Sequence, residues 1–334
     1  MRKIYSLIKE TLCYKIIKAD KEKNMLSHAY FISCQDEVMQ RDYLKILASL
    51  LLCDKDDPCF NCRTCDLILK ESLPDLKVYP KNKNIIVEDV NEIVADNYVR
   101  PLEKDRKVYI LSNCDNMNFQ AQNKLLKVLE EPSPSVCFLI SATSEYALLP
   151  TVISRTKKLD LPFFTNEKLF SVLKDYYDDK EKLKKCVTQS SGNLSRCLSL
   201  MDGTDNLIDS DFVFLLLDGL NGTADVIDKS IQLTQKCTVG NKTDSGIFSQ
   251  ILNLLSIVMR DTLVYLQGKK ELVLSVEDLG NISKISIEFS EGAILFVLEK
   301  IGKIEKKLKF NSNLQMAIDE LLFAIVEGKY KWQK

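Results

Sequence analysis

Between residues 26 and 161 the chain alternates short, almost wholly apolar runs with stretches of helical periodicity, and no other feature narrows its possible folds as much. Ala29–Ser33 has the length and composition of a buried strand. QDEVMQRDYLKILASLLLC follows, with Val38, Leu44, Leu47, Ala48, Leu51 and Leu52 at helical spacing. Leu76–Tyr79 reads as a second strand and Ile85–Val87 as a further short extended piece. VEDVNEIVADNYVRPL reads as a helix with Val90, Ile93, Val94 and Asn97 on one face. KVYIL, residues 107–111, predicts another strand. The next helix has Asn118 as its N-cap, an apolar stripe of Ala121, Leu125, Val128 and Leu129, and a stop at Pro132 and Pro134. CFLISAT (137–143) and a piece near Lys158–Leu161 complete the strands. Near-continuous apolar strands separated by helices require a parallel sheet covered on both faces.

The chain has 334 residues, which predicts two or three domains, and 46% of them are hydrophobic, enough for sizeable cores. A formal net charge of -1 argues against a general nucleic-acid or membrane-surface binder, so any basic patch is local. No apolar run approaches the length of a membrane span. The N-terminus, MRKIYSLIKETLCYKIIKADKEK, lacks the apolar centre of a secretory signal and predicts one amphipathic helix.

Four of the eleven cysteines cluster in residues 53–65 as Cys53-x5-Cys59-x2-Cys62-x2-Cys65. Four thiolates so spaced fit one tetrahedral Zn2+, and a closed four-sulfur site is structural because no position is left for water. A metal-free cysteine-rich loop or a redox pair is the alternative. The other seven, Cys13, Cys34, Cys114, Cys137, Cys186, Cys197 and Cys237, read as small buried hydrophobes, which suits a reducing, cytoplasmic location.

The first strand, loop and helix have the order of a nucleotide-binding unit, but the loop is wrong for phosphate. Cys34 to Asp42 contains no glycine to let backbone N–H groups wrap an anion, and no lysine. It carries Asp36 and Glu37, which repel phosphate.

HAYFIS, the four-cysteine insert, PDL, QAQNKLLKVLEEPSPSVCFLISAT and LLPTVISR occur in an order that resembles bacterial clamp-loader subunits, the AAA+ proteins of the DNA polymerase III holoenzyme. The resemblance is strong over 26–161, most specific from Asn123 to Arg155, and weak beyond. It is closer to the branch that does not hydrolyse ATP than to the gamma/tau motors. In the motors the phosphate-loop lysine would fall near Gln40 and glycines near Cys34, Glu37 and Met39, none of which is kept, while the acidic metal-binding pair would fall at Ser112 and Asn113. Neither of the latter is a carboxylate, and Asp115 is a poor substitute. The resemblance implies that ATP is bound by neighbouring subunits and is not expected here.

Ser154-Arg155 matches the family's S-R-C motif, with Thr156 in place of the cysteine. The resemblance implies that Arg155 reaches the terminal phosphate of a neighbour's ATP, stabilising developing negative charge in trans. Thr143 falls where the family places a polar sensor. Ser195 takes the place of the motor's sensing arginine, and Arg196 lies one residue off.

The fold expected is an α/β AAA+ domain with a zinc-module insert over 1–161, a small helical lid over 162–205 and an all-α collar over 206–334. Asp202 to Asp205 is the linker, and Asn311 and Asn313 precede the last collar helix. The AIDELLFAI stripe of that helix fits core or interface equally. The partners implied are gamma/tau and delta in a hetero-pentamer, the sliding clamp indirectly, and primer-template DNA, with no membrane. Two rivals stand beside this reading: a divergent ATP-binding AAA+ ATPase, and a stand-alone zinc-containing nucleic-acid-binding protein.

Overall fold

The computed structural model describes residues 1–204, 210–220, 222–239, 242–243, 245–275, 278–308 and 313–332. They form two compact units, Met1–Leu198 and Ser199–Lys334. The expected boundary at 205/206, with Asp205 of the linker, lies outside the described residues, as does Asn311.

The first unit opens with α1 (Arg2–Ile8) and α2 (Leu12–Glu22), then β1 (Ala29–Cys34), α3 (Gln40–Leu52) and α4 (Arg63–Leu69). It continues through β2 (Leu76–Tyr79), α5 (Val87–Asp96), β3 (Lys107–Leu111), α6 (Phe119–Glu130), β4 (Val136–Ala142), α7 (Pro150–Ile153) and β5 (Lys157–Leu161). It closes with α8 (Asn166–Leu173), α9 (Lys180–Ser190) and the start of α10 (Leu194–Asp202). The five strands form one parallel sheet in the order β2-β3-β4-β1-β5. All residues of β3 and β4 are buried, as a strand covered on both faces must be, and the Tyr109 and Phe138 rings stack across them at 4.9 Å. The stripe Ala121, Leu125, Val128 and Leu129 is buried, and Asn118 accepts the Ala121 N–H at 2.8 Å as the N-cap.

Three local expectations are corrected. The N-terminus is two helices, because the Thr11 side chain caps the second (accepting from Tyr14 N) while donating to the Ile8 carbonyl of the first. Val38 is not on the α3 stripe: the helix starts at Gln40 and Val38 is 77% exposed. Ile85–Val87 is no strand: the Asp89 carboxylate accepts the Ile86 N–H and starts α5 there.

The Asp75 carboxylate of the PDL stretch is fully buried and accepts the N–H groups of Leu102, Glu103 and Lys104 at 2.6–2.7 Å. Three donors offset its desolvation and pin the loop before β3. All seven scattered cysteines are buried free thiols, and burial pushes Cys13, Cys34, Cys137 and Cys197 up to about 12.

The second unit holds α11 (Ser210–Asp218), α12 (Thr223–Lys236), a hairpin of β6 (Thr238–Val239) and β7 (Lys242–Thr243), α13 (Ser245–Leu266), α14 (Leu279–Glu288), α15 (Glu291–Leu308) and α16 (Leu314–Lys331). The hairpin is a departure from the all-helical expectation. A second correction concerns length: against the expectation that no apolar run approaches a membrane span, the 22 residues of α13 are long and apolar enough to cross a membrane by length and composition. Here it is the bundle's core helix, with Phe248, Ile251, Leu252, Leu255 and Val258 buried and packed by α11, α14 and α15. Asn313 caps α16 through the N–H groups of Gln315 and Met316. The stripe Ala317, Ile318, Leu321, Leu322, Ala324 and Ile325 is core, and the exposed face of α16 carries Met316, Phe323 and Tyr330 at seven-residue spacing.

Candidate functional site

The corner after β1, where a phosphate loop would lie, is filled by the chain itself. Gln40 opens α3 and is fully buried. Its amide nitrogen donates to the Cys34 carbonyl at 2.8 Å. Its amide oxygen accepts the Asn113 N–H at 2.9 Å and the Ser141 hydroxyl at 2.7 Å. One side chain thus ties the ends of β1, β3 and β4. Ser112 donates its hydroxyl to the Tyr79 carbonyl at 3.1 Å. Asn113 holds a left-handed backbone, φ 54°, which asparagine tolerates, and its side chain donates to the Glu37 carbonyl. Neither residue offers an anionic oxygen. Asp115, the remaining carboxylate, accepts both the N–H and the hydroxyl of Thr143. Among these residues no glycine-lined anion cradle exists, and the polar atoms of Gln40 are satisfied internally.

Asp36 faces the same corner, 3% exposed. It accepts from Met39 N, from the Tyr43 hydroxyl at 3.3 Å, and from the Ser195 N–H at 3.0 Å.

Arg155 lies outside this corner, just after α7. Its side chain is 35% exposed, pairs with Glu130 at 2.7 Å and donates to the Thr151 carbonyl at 2.9 Å. Ser154 donates to the same carbonyl at 3.1 Å. A half-exposed ion pair of this kind is worth at most about 1 kcal/mol, so a phosphate can take over the guanidinium at small cost. Glu130 stands in the LEEP block, but nothing in the sequence marks it as the partner of Arg155. Gln122 was also missed: it donates to the Met117 carbonyl and accepts the Leu149 N–H, fixing the entry to α7.

The four sulfurs of Cys53, Cys59, Cys62 and Cys65 lie within 4.8 Å of one another. Closest approaches are 3.8 Å for Cys53–Cys59 and 3.9 Å for Cys53–Cys62 and Cys59–Cys65. A tetrahedron with metal–sulfur bonds of about 2.3 Å has edges of about 3.8 Å, so the donor set fits one such ion. The Asn61 N–H holds the Cys59 thiol low, at about 6, whereas burial pushes Cys65 up. The cluster is strapped down on both flanks. Tyr5 packs edge-on against Phe60 at 5.3 Å, Arg2 bonds Asn61, and Asp57 receives Tyr14 and Lys18. On the other flank Lys104 pairs with Asp54 and Arg63 with Glu103. The N-terminal segment also reaches α8 and the turn after it, through Glu10–Lys168 and through Lys3 over the Tyr177 ring.

Residues 9–165 match a family model described as DNA polymerase III, delta subunit. The chain is 23% identical to the DNA polymerase III subunit delta' of Bacillus subtilis over 317 residues, covering 94% of this chain and 95% of that one. It is 28% identical to the subunit gamma/tau of Mycoplasma genitalium over 232 residues, covering 66% of this chain and 38% of the relative. A solved gamma subunit-related protein from Thermotoga maritima aligns over 94% of the chain with TM-score 0.43 and 18% identity. With an internally satisfied corner after β1 and an S-R edge, the chain resembles DNA polymerase III subunits, and its likeness to delta' runs nearly from end to end.

Proposed function

We propose that this chain is the non-hydrolysing, delta prime-type subunit of a bacterial clamp loader. It joins gamma/tau and delta in a ring that loads the sliding clamp onto primed DNA. The observation that carries the reading is the contrast between Gln40, which fills the phosphate corner, and Arg155, which stays at an accessible edge. A subunit so built neither cradles nor cleaves ATP, yet it offers a guanidinium to ATP held next door. Ser154 steadies the turn that carries it. The four cysteines hold a structural Zn2+ that closes the insert between α3 and α4 and supplies no chemistry of its own.

The finer organisation belongs to the same proposal: residues 162–205 act as a lid, and 206–334 as a collar through which subunits pack. The exposed Met316, Phe323 and Tyr330 are the collar residues we assign to packing. The assembly is cytoplasmic, and DNA contact, where made, is to backbone phosphates.

The test is ATP turnover by the cognate gamma/tau subunits with delta, clamp and primed DNA, using wild-type chain or Arg155→Ala. Wild type stimulates, and the variant assembles but stimulates less. ATP binding by the isolated chain would favour the divergent ATPase instead. DNA binding without ring partners, abolished by chelation, would favour the free-standing zinc protein. For the metal, the purified chain yields one zinc per chain on elemental analysis, and Cys59→Ser lowers both zinc content and the unfolding midpoint.

A further inference from the structure

We propose that Asp36 is a built-in anion that takes the place of a nucleotide phosphate and keeps α10 fastened to the sheet whether or not ATP is present. The proposal deepens the non-hydrolysing reading and rests on it for its purpose, but the contacts stand alone.

The first N–H groups of any helix lack intrahelical partners and carry a partial positive charge. In α10 the Asn193 side chain accepts the Arg196 N–H at 3.0 Å and the Ser195 hydroxyl at 2.8 Å. The Ser195 N–H is left over, and it donates to the Asp36 carboxylate from the opposite end of the unit's sequence. A buried carboxylate costs free energy unless donors surround it. Asp36 has Ser195 N from α10, the Tyr43 hydroxyl from α3 and Met39 N from its own loop. A mobile phosphate bridging loop and helix would need the same donors.

Two neighbouring contacts tighten the same junction. The Tyr43 ring, whose hydroxyl serves Asp36, packs edge-on against Phe164 at 6.2 Å. Phe164 N then donates to the Gly192 carbonyl at 3.0 Å. Gly192 has φ +85°, and a Cβ there would sit 2.1 Å from the Phe164 carbonyl oxygen, so only glycine allows this approach. The first turn of α3 and the start of α10 therefore meet at Asp36, and Phe164 after β5 packs against the same junction through Tyr43 and Gly192. Gln40 next door is neutral, which leaves Asp36 as the negative charge directed at α10.

Hydrogen exchange on the full chain tests this. In Asp36→Ala the amides of Ser195, Arg196 and Cys197 should exchange at least tenfold faster, while those of β3 and β4 keep their wild-type rates. Asp36→Asn keeps the side-chain size and one acceptor oxygen, so it should fall between the two, and it carries the comparison alone where the alanine variant fails to fold. Formate, which replaces the lost carboxylate, should slow exchange at Ser195 in Asp36→Ala and leave wild type unchanged. ATP should not alter wild-type protection. Unchanged exchange in both variants, equal loosening of the whole sheet, no formate effect, or protection of wild type by ATP would each overturn the proposal. The readout needs no partner, so a chain that fails to join gamma/tau leaves the exchange result standing.

Discussion

The corner after β1 and the edge after α7 carry the two side chains on which the proposed function rests, Gln40 and Arg155, and the chain holds them in opposite ways. At the corner, Gln40, Ser112, Asn113 and Asp115 spend their polar atoms on one another and on strand ends. At the edge, Arg155 is held by one exposed carboxylate and one carbonyl. The corner has become part of the scaffold, and the edge has stayed able to exchange partners. Burial makes the difference: a buried polar group must be satisfied within the chain, whereas an exposed one can trade its partner for another at little cost.

The sharpest way to break the comparison is Gln40→Leu. It leaves the Asn113 N–H, the Ser141 hydroxyl and the Cys34 carbonyl without their partner, and should cost about 3 kcal/mol in urea unfolding. A loss under about 0.5 kcal/mol would mean the corner is not scaffold. Arg155→Ala should lower ATP turnover at the neighbouring site about tenfold or more, worth about 1.4 kcal/mol, while the unfolding free energy stays within about 0.5 kcal/mol of wild type. A large stability loss without a turnover loss would make the edge structural too. Glu130→Gln removes the competing carboxylate, and it should leave stability within about 0.5 kcal/mol and turnover undiminished.

The smallest effect is in acid. Burial alone would raise Glu71, but Arg41 and Lys45 from α3 hold it below its ordinary value of 4.5. A carboxylate lowered on folding stabilises above its unfolded pKa, and that contribution disappears as pH falls through the lower, folded value. Unfolding free energy measured from pH 6 downward should therefore decline below about 4.5 in wild type, and less steeply in Glu71→Gln.

Much of this was legible in the residues. The β1, β3 and β4 runs are apolar on both faces, so their burial could be read directly, as could the Asn118 cap. The cysteine spacing gave the donor set that the folded chain brings together. Other features were settled by competition that periodicity does not register. Ile85–Val87 has strand composition, yet the carboxylate of Asp89 starts a helix there. Val38 fits the α3 stripe by spacing, but the helix had not yet begun. The pairing of Arg155 with Glu130, and of Asp36 with Ser195, joins residues distant in sequence, and only the fold makes them neighbours.

Gln40 also bears on reversibility. Its amide offers an oxygen to two donors and a nitrogen to one acceptor. A lysine in its place brings donors only, so it would face the Asn113 N–H and the Ser141 hydroxyl with nothing to accept them. Introducing the one residue that a phosphate loop most needs would therefore break the corner before it could hold an anion. Turning this corner into an anion cradle takes several simultaneous changes, so the arrangement behaves as a ratchet.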